Sequence, residues 1–144
     1  MKNSKNVISL HYEINGEDFS LAGEASSNVK KILKQLGVSP ETIRKVSIAM
    51  YEGEINMVIH AYGGIADVDI SPEQVKIVLQ DEGPGIPDIT LAMKEGYSTA
   101  PDTIRELGFG AGMGLPNMKK YTDHMDITSE IGKGTKVEMI VKIT

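Results

Sequence analysis

Ile8, Leu10, Tyr12 and Ile14 alternate with polar residues, the period of a strand with one buried face. Asn15-Gly16 follows and leads into Phe19 and Leu21, which predicts a small N-terminal β-hairpin. From Ala25 the period lengthens. Val29, Ile32, Leu33 and Leu36 make one helical stripe that Gly37 closes. Ser39-Pro40 places a capping hydroxyl before a proline at the first helical position, so a second helix is predicted over residues 40–60. On that helix Arg44, Ser47, Tyr51 and Glu54 form the one continuous polar strip, and apolar residues hold most of the remaining circumference. Such a helix must be covered on more than one side.

Val68 and Ile70, then Val75, Ile77 and Leu79, predict two strands joined at Ser71-Pro72-Glu73. A short helix is expected through Ala92 and Met93. Residues 96–112 hold Ser98, Thr99, Pro101 and several glycines with no sustained period, the pattern of a long functional loop. Leu115 to Tyr121 returns to helix, and Met125, Ile127, Val137, Met139, Val141 and Ile143 alternate as two strands around the turn at residues 132–134. Helices lying between runs of strands fit an α/β two-layer sandwich, a mixed β-sheet with helices packed on one face.

At 144 residues, without repeats or a linker, the chain is expected to form a single domain over residues 1–144. The basic start, Met1 to Asn6, runs into alternating polar and apolar residues instead of a signal-peptide core, and no apolar run is long enough to span a bilayer. A cytoplasmic protein is expected. Absence of cysteine removes disulfides, thiolate metal sites and a cysteine nucleophile from consideration. Net charge is −5 and the cations are scattered among acids, which argues against nucleic acid as a partner. The pairs Lys30-Lys31 and Lys119-Lys120 read as solvated helix faces.

Four clusters carry candidate chemistry. Glu52 and Asn56, four apart, share a helix face outside the polar strip and are bordered by Ile48, Ile55 and Ile59. Desolvation there would raise the carboxylate's pKa, as suits a general base, although both groups could instead satisfy a neighbouring strand or face water. Asp81-Glu82-Gly83-Pro84-Gly85 ends an apolar strand. It can be a turn, or a place where a carboxylate meets an exocyclic amine while glycine lets backbone approach a flat ring. Gly108, Gly110, Gly112 and Gly114 alternate ahead of the Leu115 helix, as a hinge or as free N–H groups for phosphates. Gly132-Lys133-Gly134-Thr135 adds a hydroxyl. Neither the Rossmann nor the P-loop motif is present, nor the signature set of eukaryotic-type protein kinases. His11, His60 and His124 match no zinc spacing.

Taken in order, these clusters resemble the N, G1, G2 and G3 boxes of the Bergerat-fold (GHKL) ATPases, the superfamily of DNA gyrase, sensor histidine kinases and MutL. The resemblance runs from about Pro40 to the C-terminus. The small size and the segments Asp88 to Thr99 and Leu107 to Pro116 are similar to the anti-sigma-factor serine/threonine kinases, nearest the stressosome switch kinases of the RsbT type. That resemblance implies ATP and Mg²⁺ as cofactors and Glu52 as the general base, with Asn56 as a Mg²⁺ ligand. It also implies Asp81 at the adenine amine, Gly85 and Ile86 beside the ring, and Thr135 assisting. Gly110, Gly112, Met113 and Gly114 would lie on the phosphates, with residues 89–111 as the lid.

The implied substrate is a serine or threonine of a STAS-domain antagonist or scaffold protein, with a PP2C-type phosphatase or a sigma factor as further partners. An ATP-dependent binding module with little phosphotransfer is the alternative. The outer strand of the N-terminal hairpin offers an edge for a homodimer. One departure stands out: relatives commonly carry alanine after the N-box glutamate, whereas this chain has Gly53, which is expected to loosen that turn.

Overall fold

The computed structural model describes residues 7–15, 23–61, 63–83, 93 and 114–143. Among them the order is β1 (Ile8–Asn15), α1 (Glu24–Gln35), α2 (Pro40–Ala61), β2 (Gly63–Ile70), β3 (Gln74–Asp81), α3 (Gly114–Lys120), β4 (His124–Glu130) and β5 (Gly134–Lys142). Within the described segments, β1, α1, α2, β2, β3, α3, β4 and β5 fall where the sequence periods place them. Phe19, Leu21, Ala92 and the loop at 96–112 lie outside the described residues.

The strands form one sheet in the order β1-β2-β3-β5-β4. All four described pairings are antiparallel, so the sandwich is the expected one while the parallel part of a mixed sheet is not found here. The arm expected after Asn15 lies outside the described residues, and one partner of β1 is described. It is β2, with Ile8 opposite Ile70 and Asn15 opposite Gly63. The sheet contact joins segments about 50 residues apart, which a local turn signal could not reveal.

One face of the sheet is buried in every central strand. Ala66, Val68 and Ile70 of β2, Val75, Ile77 and Leu79 of β3, and Val137, Met139 and Val141 of β5 are each at most 6% exposed. They alternate with polar or half-exposed residues, as the pleat requires. The helices cover this face, with Val29 and Leu33 of α1, Val46, Ala49 and Met50 of α2 and Met118 of α3 in one core. Helix α2 is capped as its sequence signals, the Ser39 hydroxyl accepting from the Thr42 N–H at 3.3 Å. None of the helices among the described residues is long and apolar enough to cross a membrane.

The polar strip on α2 is not a uniform solvent face. Arg44 and Tyr51 are exposed, but Ser47 is half-buried and Glu54 only 1% exposed. Spacing identified the strip; the packing of α1 across one end of it removed Glu54 from water.

Candidate functional site

Glu52 and Asn56 are both half-buried and face α3. Burial pushes the Glu52 carboxyl above its ordinary value, and a hydrogen bond from the Asn117 side chain partly offsets this. The Asn56 amide donates only a weak contact, 3.8 Å, to the Met118 sulfur. Its carbonyl oxygen has no hydrogen-bond partner among the described residues. Among the described residues the partners of both side chains lie on α3 and not on a neighbouring strand.

Gly53 stands between them in sequence and is fully packed. A Cβ there would come 2.0 Å from Leu79 Cδ1 and 3.4 Å from Met118 Cε. The glycine therefore lets α2 lie close on β3 with α3 beside it. Its role is close approach, not the loosening of a turn expected from propensity, because contact with a buried leucine replaces the solvent that the propensity scale assumes.

Leu79 connects this pair to the next. Side chains two apart on a strand share a face, so Asp81 continues the buried row Ile77, Leu79 at the strand end. Asp81 is opposite Thr135, and Thr135 is opposite Ser129. Three polar residues thus form a row across β3, β5 and β4, where the row before it is Leu79, Val137 and Ile127. Asp81 Oδ1 accepts from the Gly83 N–H at 2.9 Å and the Thr135 N–H at 3.2 Å, which fixes the carboxylate's direction. Hydroxyls of Thr135 and Ser129 share a hydrogen bond of 2.9 Å. The approach of β5 depends on Gly134, at φ +123°, where a Cβ would meet the Asp81 carbonyl oxygen at 2.0 Å.

Gly114 opens α3. Gly85, Ile86, Gly110, Gly112 and Met113 lie outside the described residues. Among the described residues no cluster of three His, Asp or Glu could hold a metal alone.

Sequence reasoning missed two residues. Asn117 had no motif, and its only signal was its position one turn past the glycine run. Glu54 was assigned to the polar strip. Both its oxygens are instead used by the start of α1: the N–H groups of Gly23 and Ala25 donate to Oε2 at 3.0 and 3.3 Å, and that of Ser26 to Oε1 at 2.7 Å. Gly23 is the N-cap residue of α1 and has no side chain to cap with. Glu54 does this from another helix, a strong arrangement because carboxylate and helix dipole are complementary.

This geometry, a carboxylate and an amide on a central helix above an acid and a hydroxyl at the strand ends, coincides with what comparison finds. Residues 18–141 match the model of the histidine kinase-like ATPase domain, and the chain belongs to that family. The serine/threonine-protein kinase RsbT of Bacillus subtilis is 30% identical over 115 residues, covering 77% of this chain and 80% of that protein. The anti-sigma F factor of Clostridium beijerinckii is 32% identical over 140 residues, covering 93% and 92%. A solved structure of the RsbU and RsbW domains of Rv1364c from Mycobacterium tuberculosis shares the fold. Its TM-score is 0.66 at 15% identity, covering 94% of this chain and 32% of that one.

Proposed function

We propose that this chain is an ATP-dependent protein serine/threonine kinase of the partner-switching kind, a single cytoplasmic domain that phosphorylates a serine or threonine of a STAS-domain antagonist. The observation that carries this reading is Glu52: a half-buried carboxylate with a raised pKa and one side-chain partner, beside Asn56, in a chain similar to a protein kinase along most of its length.

ATP with Mg²⁺ supplies the transferable phosphoryl group and the cation that neutralises its charge. The residues present fit both. Mg²⁺ takes oxygen ligands and keeps several waters, so the uncommitted carbonyl oxygen of Asn56 suffices as the protein's share. Asp81, aimed by two backbone N–H groups, would accept a hydrogen bond from the adenine amine, with the Thr135 hydroxyl alongside. By the family resemblance, Gly85 and Ile86 would serve the adenine ring and Gly110, Gly112, Met113 and Gly114 the phosphates. Glu52 accepts the proton of the attacking hydroxyl, a task for which a pKa raised toward neutrality is suited.

A second reading, an ATP-dependent binding module acting on a sigma factor or a phosphatase, is favoured by the relatives named anti-sigma F factor. One experiment separates them: incubation with labelled ATP, Mg²⁺ and the STAS-domain protein encoded nearest to this one. Label on serine or threonine is expected. Complex formation that needs ATP but leaves no label would favour the second reading.

A further inference from the structure

Charge is divided between the two layers of the sandwich. The described helical segments, residues 23–61 and 114–121, carry seven lysines and arginines against four carboxylates, while the sheet and its turns carry four against ten. Of those four helical carboxylates, Glu54 is buried against α1 and Glu52 is the proposed base. Within a chain of net charge −5, the described residues of the helical layer, which holds Glu52, are therefore the cationic ones.

That surface is most concentrated where α2 meets the end of α3. The Arg44 guanidinium and the Lys120 ammonium both lie 5.4 Å from the centroid of the Tyr121 ring. Arg44, Lys119 and Lys120 are exposed. Two residues distant in sequence thus bring like charges to one ring, where each gains from the ring's quadrupole but repels the other. No carboxylate among the described residues is paired with either; the nearest acid on α2, Glu41, is 3.6 Å from Lys45. Tyr121 follows Asn117 by one turn, and Asn117 bonds Glu52. Arg44 precedes Glu52 by eight residues, roughly 12 Å along the helix at 1.5 Å per residue. The cations thus lie on the two helices, α2 and α3, that also carry Glu52 and its Asn117 partner.

We infer that Arg44, Lys120 and Tyr121, with Lys119, form a docking surface for an acidic patch of the protein substrate. The inference rests on the kinase reading for the identity of the occupant. Its charge complementarity comes from the cationic helices alone. Opposite fields steer encounter and fix the register of docking, so the effect falls on substrate capture and salt dependence, not on the chemical step.

The test uses the full chain, a fluorescein-labelled hexaglutamate peptide as binding probe, and the neighbouring STAS-domain protein as substrate. Arg44→Glu combined with Lys120→Glu is expected to weaken hexaglutamate binding and to raise KM for the protein substrate by about tenfold or more. Its kcat and ATP affinity should stay within about twofold, with the fold retained by circular dichroism and a melting temperature lowered by only a few degrees, roughly what loss of exposed ring contacts costs. Lys30→Glu combined with Lys31→Glu, on α1, should leave hexaglutamate binding intact. Equal loss in both double variants, an unaltered KM in the first, or tighter binding of duplex DNA than of hexaglutamate would each overturn the docking surface. Absence of phosphotransfer by the wild-type protein would count against the kinase reading. The hexaglutamate arm would still decide whether the surface binds acids.

Discussion

Glu52 and Glu54 are separated by a single glycine on one helix, and about 200° of helical rotation puts them on opposite sides of it. Glu54 is 1% exposed and gives its two oxygens to three backbone N–H groups at the start of α1. Glu52 is half-buried, with one side-chain partner on α3 and a raised pKa. The first has three of its roughly four acceptor positions filled by backbone N–H groups and is closed off from solvent; the second has one described side-chain partner and is half exposed. What distinguishes the capping carboxylate from the proposed base is not a raised cost of burial, since the capping one is the more buried. It is how many of its acceptor positions the surrounding groups occupy.

The sharpest break in this comparison comes from replacing each acid in turn. Glu52→Gln should lower phosphotransfer by roughly two to four orders of magnitude, since a general base contributes about that much, with ATP binding retained in calorimetry. Because burial penalises its charged form, ionising Glu52 destabilises the fold as pH rises through the raised folded value. Glu52→Gln should therefore be at least as stable as wild type at neutral pH. A fall in melting temperature would assign Glu52 a structural role. Glu54→Ala should do the reverse, costing on the order of 3 kcal/mol in urea unfolding by orphaning the N–H groups of α1. Unchanged stability would refute the capping role.

Asp81→Asn acts at the other end of the site and should reduce the preference for ATP over GTP by about tenfold or more, because it changes the acceptor that recognises the exocyclic amine. Equal selectivity in a competition assay would count against the adenine assignment. Gly53→Ala, which the helix propensity scale would favour by about 1 kcal/mol, should instead destabilise by about 1–2 kcal/mol through overpacking against Leu79. Combined with Leu79→Ala, the loss should be less than the sum of the two single losses, and strict additivity would contradict the contact.

The smallest effect expected is on the pH profile. Glu52 must be ionised to accept a proton, so phosphotransfer should rise with pH through its raised pKa. Asn117→Ala removes the bond that lowers that pKa and should move the rise to higher pH. Movement to lower pH would reverse the sign of the proposed interaction.

Much of this was legible in the chain. Ser39-Pro40 fixed where α2 begins, the alternation of Val75, Ile77 and Leu79 led directly to Asp81, and Glu52 with Asn56 stood apart from the polar strip by spacing alone. The partner of β1 was not legible, since the Asn15-Gly16 signal is local and β2 lies some 50 residues away. Gly53 was read against the wrong reference, an isolated helix in water, when its neighbour is a buried leucine from β3. Lys119-Lys120 read as a solvated pair because nothing in the sequence places Arg44 across the same tyrosine.

The sequence by itself determined the periods, the caps and the chemical types of the groups that can bind a nucleotide, because those depend on neighbours within a few residues. Only the tertiary structure decided which of two glutamates is free to react, which glycine is a contact and not a weakness, and which cations share one surface. Those outcomes depend on solvent being displaced by segments remote in the chain, and the free energy of a charged or polar group turns on that displacement.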